Sequence, residues 1–151
     1  MDARASGLTL KLGCRVRAPR DRVFRALAEP ADLARWWGPH GFITHVLELD
    51  LRVGGGYRFT MQPPEGDAFH LSGEYLEVVP PHRLVYTFRW DEPDPDDRET
   101  TATLRLDAPD EETEITLSQG EFATVERLEL HRSGWTDSFE RLRELMESSR
   151  G

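Results

Sequence analysis

Near the C-terminus, Val125, Leu128, Arg132, Trp135, Phe139, Leu142 and Met146 recur at intervals that alternate between three and four. That spacing sets about one residue per turn on a single face of an α-helix. Glu126, Arg127, Glu129, Glu140, Arg141, Arg143 and Glu144 lie off the stripe. At ~1.5 Å per residue, such a helix is on the order of 35 Å long. A helix of that length, apolar on one side, must lay that side against an equally extended partner.

The rest of the chain offers strands for this. Leu8, Leu10, Leu12, Cys14 and Val16 alternate with polar residues or glycine, the period of a half-buried strand. Pro19 opens a short helix with Val23, Phe24 and Leu27 on one face, and Glu29-Pro30 breaks it. A second short helix runs from Ala31 to about Trp37 and stops at Gly38-Pro39. From Phe42 the period returns to two, in expected strands over Phe42–Leu51, Tyr57–Gln62, Phe69–Val79, Arg83–Trp90, Thr100–Leu106 and Thr113–Gln119. Turns are expected at Gly54-Gly55-Gly56, Pro80-Pro81 and Ala108-Pro109-Asp110. The order is β-α-α-β-β-β-β-β-β-α. Strands joined in succession by short connections make an antiparallel meander, so the fold class is α+β, with the long helix covering one sheet face.

With 151 residues, the chain suits a single domain over 1–151. A net charge of -9 repels phosphate backbones and anionic surfaces, against a nucleic-acid or membrane partner. Cys14 is the one cysteine, which excludes an internal disulfide and fits a cytoplasmic setting. Met1–Gly7 lacks an apolar signal core, and no apolar run approaches the ~20 residues of a membrane helix. There is no HExxH, P-loop, dinucleotide fingerprint or GxSxG elbow, so neither a metal, a cofactor nor a catalytic set is expected. His70 and Glu74 share an outward parity that reads as a surface pair. Asp91–Glu99, with six acidic residues, reads as a solvated hairpin loop and lacks the EF-hand pattern.

Four stretches resemble a known family: Arg17–Phe24 at the first strand–helix junction, Trp36–Phe42 at the end of the second helix, Asp50–Tyr57 around the glycine turn, and Val79–Tyr86 with the later Gly134-Trp135. In this order they resemble the START-like, or SRPBCC, superfamily, in the branch similar to the activator homologues of the heat-shock protein 90 ATPase. The resemblance implies the helix-grip fold: a curved seven-stranded antiparallel sheet around a long C-terminal helix, with two short helices between strands 1 and 2. It also implies a hydrophobic cavity between sheet and helix. Members include lipid carriers, polyketide cyclases and aromatases, and co-chaperone domains.

The candidate cavity lining follows from parity. Tyr57, Phe59, Phe69, Tyr75, Tyr86, Phe88 and Trp90 fall on the inward strand faces, and Trp135 and Phe139 meet them from the helix. Ligand pockets are lined mostly by such side chains with a few polar groups. Trp36 and Trp37 are adjacent, so one packs and the other is more exposed; Trp37 is the candidate at the pocket mouth. Gln119 has inward parity at the end of its strand. Arg132, a charge on an apolar stripe, leaves two readings open. It reaches an edge or pairs with Glu77 or Glu74, or it enters the cavity and binds an anionic or phenolic group.

The leading expectation is the binding of a small, largely apolar molecule of aromatic or lipid-like kind, by a monomer or homodimer. An alternative is an enzyme of polyketide cyclase, aromatase or hydrolase type, with Arg132, Tyr86, Glu77 or Gln119 guiding protons. A second alternative is a co-chaperone-like module with a protein partner.

Overall fold

The computed structural model describes residues 8–108 and 111–148. The polar start expected over Met1–Gly7, and Pro109 and Asp110 of the last turn, lie outside the described residues. The elements are β1 (Leu10–Val16), α1 (Arg20–Ala28), α2 (Pro30–Trp36), β2 (Ile43–Leu49), β3 (Gly56–Gln62), β4 (Phe69–Val79), β5 (Arg83–Trp90), β6 (Thr100–Asp107), β7 (Thr113–Gly120) and α3 (Val125–Ser148). The seven strands form one sheet in the order β1-β7-β6-β5-β4-β3-β2, and every neighbouring pair is antiparallel. Strands β2 to β7 are the expected meander. β1 joins its far edge, so α1 and α2 carry the chain from one edge of the sheet to the other. This is the helix-grip architecture.

The C-terminal half of α3 is seated on β1 and its neighbours. Phe139, Leu142 and Met146 are buried in one core with Leu10, Val16, Leu104, Leu106, Ile115 and Leu117. Polar contacts hold the same end: Arg143 donates to Cys14 Sγ at 3.6 Å and to the Arg15 carbonyl at 3.3 Å, and Glu147 accepts from the Arg17 amide at 3.2 Å.

The buried face of α3 differs from the stripe read in the sequence. It runs Leu128, Trp135, Phe139, Leu142 and Met146, with His131 partly buried between the first two, while Val125 is 58% exposed. Between Leu128 and Trp135 the three-four rule admits either residue 131 or residue 132. Burial selects His131, because an imidazole can be buried uncharged and a guanidinium cannot. Arg132 instead pairs along the helix surface with Glu129 at 3.2 Å.

A bulge in β4 explains a second difference. The register with β5 shifts between Tyr75 and Glu77, which turns Glu77 outward to meet Arg83 at 3.0 Å. Neither Glu77 nor Glu74 is therefore the partner of Arg132. His70 pairs with Glu92 at 2.7 Å rather than with Glu74. Trp36 and Trp37 are both buried: Trp36 donates to the Ala26 carbonyl at 2.8 Å, and Trp37 caps α2 and turns inward.

Of the three glycines in the turn after β2, Gly54 alone has positive φ, +87°. Gly73 matters for another reason. It faces Tyr57 across the β3–β4 ladder, and the Tyr57 ring lies over it to donate to the Thr87 carbonyl at 2.6 Å. A Cβ at position 73 would meet the Thr87 carbonyl oxygen and come within 2.7 Å of the Tyr57 ring. Gly73→Ala is expected to destabilise the protein by about 2–3 kcal/mol, the overpacking range, as read by urea denaturation.

Candidate functional site

Where the C-terminal half of α3 is packed tight, its N-terminal half stands over a cleft of about 400 Å3. Three elements supply the apolar walls: Met61, Phe69, Phe88 and Trp90 from the sheet, Trp37, Pro39 and Phe42 from the α2–β2 connection, and Leu130 and Trp135 from α3. Trp37 lies at the base, with its ring centroid 5.0 Å from Trp135 and 5.2 Å from Phe59. The connection carrying it is anchored to α3. Ser138 accepts from the Gly38 amide at 2.9 Å, and one nitrogen of Arg141 donates to the carbonyls of Trp37, Gly38 and Pro39.

Beyond Trp37 the interior is filled. Tyr57, Phe59, Tyr75 and Tyr86 pack with centroids 5.1–5.8 Å apart, and the space left among them and their neighbours is about 10 Å3, against about 400 Å3 in the cleft. The Tyr86 hydroxyl is buried there without a hydrogen-bond partner, and burial pushes its ionisation well above the ordinary tyrosine range.

The residues expected to line one cavity therefore separate. Trp37, Phe69, Phe88 and Trp135 line the cleft. Tyr57, Phe59, Tyr75 and Tyr86 belong to the filled core behind it. Phe139 packs on Trp135 at 5.5 Å within the core. Gln119 is fully buried, and its amide is engaged at both ends: it accepts from Trp135 Nε1 at 2.8 Å and donates to Thr100 Oγ1 at 2.9 Å. It positions Trp135 rather than facing the cleft. Arg132 is outside. The four groups considered for proton transfer, Arg132, Tyr86, Glu77 and Gln119, thus do not come together.

The cleft's polar side comes from residues the sequence reading passed over. Arg127 bridges to Asp94 at 2.9 Å, Asp96 at 3.1 Å and Asp97 at 3.1 Å, with only 15% of its side chain exposed. This clamp ties the acidic β5–β6 loop to α3, while most of the segment is exposed, as its composition leads one to expect. Hydrogen bonding to Arg127 also holds the Asp96 carboxyl below the usual range. One turn on, His131 lies against Phe122, Phe88 and Trp90, at centroid distances of 4.7, 5.3 and 6.0 Å. Burial, together with the nearby Arg127 charge, pushes its pKa down to about 4, so it is neutral at pH 7.

The acid side of this site is visible only in hindsight, because a basic residue off an apolar stripe is usually solvated. The signal was pairing potential: an arginine at the start of a helix and six acidic residues in one loop. Elsewhere, His40, Asp137 and Glu140 place ligand-type atoms within 4.8 Å of one another. They lie at the surface and bond one another, His40 Nε2 to Glu140 at 2.9 Å and the His40 amide to Asp137 at 3.2 Å.

Residues 17–147 match the family described as Activator of Hsp90 ATPase homolog 1-like protein. The chain belongs to this family. A crystal structure of a Chromobacterium violaceum protein is 33% identical to it, with a TM-score of 0.85 over 93% of this chain and 97% of that one. A Nitrosomonas europaea protein is 29% identical, with a TM-score of 0.80 over 99% of each chain. A protein of the same family from Silicibacter pomeroyi is 27% identical, with a TM-score of 0.79 over 93% of this chain and 99% of that one. No curated protein matches. The family's helix-grip fold is in general a ligand-binding one. Among the described residues, no helix is long and apolar enough to cross a membrane.

The depressed His131 pKa has a consequence for stability. Between about pH 4 and 6.5 the unfolded chain binds a proton that folded His131 does not, so stability falls as pH falls through that window. The full loss is on the order of 3 kcal/mol. His131→Phe should remove this part of the acid sensitivity and leave the part due to carboxylates, as measured by urea unfolding across that range.

Proposed function

We propose that the chain acts as a single ligand-binding domain that takes up a small, largely apolar molecule in the cleft under the N-terminal half of α3. One observation carries this reading. The helix-grip interior is closed behind Trp37, yet in front of it the aromatic walls leave about 400 Å3. That volume is within the ~300–1,000 Å3 usual for small-molecule sites. Aromatic side chains left facing open space lose packing that a flat hydrophobic guest restores. The size suits a molecule of two or three fused rings rather than a long lipid chain.

Gly134 gives a direct test. It lines the cleft, and a Cβ there would meet nothing closer than Pro39 at 3.9 Å. A large side chain at this position would project into the open volume, and replacing a mid-helix glycine favours the helix by up to about 1 kcal/mol. Native mass spectrometry of the purified protein should detect bound naphthalene-sized compounds. Gly134→Phe should keep the fold and lose at least ten-fold in affinity for them. Equal binding by both proteins would place the ligand elsewhere.

A further inference from the structure

Charge decides which molecules of the right shape the cleft accepts. We infer that it selects aromatic molecules carrying a protonated amine over carboxylates and phenolates of the same shape. This rests on the reading of the cleft as a ligand site.

The lip carries an excess of negative charge. Glu92, Asp94 and Asp97 line the cleft beside a single guanidinium, Arg127. That guanidinium is already committed, since its terminal nitrogens bridge to Asp94, Asp96 and Asp97. Its Nε is buried, away from an incoming group. An incoming carboxylate would have to break the clamp and face the released aspartates. An ammonium adds a positive charge where carboxylates outnumber the guanidinium. Of the other guanidinium groups nearby, Arg58 pairs with Asp91 at 3.1 Å, and Arg141 is engaged by the carbonyls of Trp37, Gly38 and Pro39.

The walls and His131 favour the same ligand. The rings of Phe69, Phe88, Trp90 and Trp135 surround the space, and aromatic faces attract cations, Trp most strongly. His131 also lines the cleft, and no hydrogen bond to its ring nitrogens is present among the described residues. A neutral imidazole offers one acceptor nitrogen, which suits an ammonium N–H. The net charge of -9 on the whole chain adds attraction at longer range.

The test uses three naphthalenes of matched shape: 2-naphthylmethylamine, 2-naphthylmethanol and 2-naphthoate. Each is titrated into the full chain by isothermal calorimetry at low ionic strength and pH 7. The amine should bind about tenfold more tightly than the carboxylate, the scale of one unit charge near a surface carboxylate, with the alcohol between them. Added salt should shrink the gap. The double variant Glu92→Gln with Asp94→Asn, at two exposed side chains, should narrow it several-fold. A carboxylate that binds as well as the amine, or a preference that the double variant does not alter, overturns the charge selection. If the alcohol binds and the amine gains nothing, the charge inference alone fails. If none of the three binds, the ligand-site reading fails with it.

Discussion

A straight helix cannot stay in contact with a twisted sheet along its whole length, and the rest of this structure follows from where α3 makes its contact. Phe139, Leu142 and Met146 sink into the core over β1, β7 and β6. The opposite half faces β3, β4 and β5 across the cleft, which is the space left between them. It is closed behind by Trp37, which reaches in from the end of α2 to touch Phe59, Phe88 and Trp135.

Two sets of polar contacts keep this half of α3 in place. On one side, Arg141 and Ser138 fasten the α2–β2 connection to the helix. On the other, Arg127 fastens the β5–β6 loop. Both anchors are hydrogen-bonded and partly shielded, so they hold better than exposed ion pairs would. The cleft therefore has two lips of different character. One is neutral and built from backbone carbonyls and a proline; the other is acidic. Gln119 adds a third constraint from behind, because its buried amide fixes Trp135 through the indole N–H. Gln119 thus positions the aromatic wall without lining the cleft itself.

Much of this was legible in the sequence. Alternation of period two recovered every strand, with end points within a few residues, because half-buried strands must alternate. The motif order was enough to reach the family and its fold. Phe69, Phe88 and Trp135 face the cleft, the side on which parity and helical spacing set them, because both report which way a side chain leaves the backbone. What failed was finer. A one-residue ambiguity between His131 and Arg132, and a bulge beside Tyr75, each reversed the direction of a polar group. Such shifts leave the apolar pattern almost unchanged while they exchange which charge faces in.

By itself, then, the sequence determined the elements, their order and the sheet face that the helix covers, because these depend on local periodicity and on burying apolar surface. Tertiary structure alone decided that the tyrosines Tyr57, Tyr75 and Tyr86 close the interior, that the cleft under α3 lies in front of Trp37, and that its lip is acidic. Those outcomes depend on the twist of the sheet against a straight helix and on Arg127 meeting aspartates some thirty residues earlier in the chain. Neither leaves a periodic mark in the residues that bring it about.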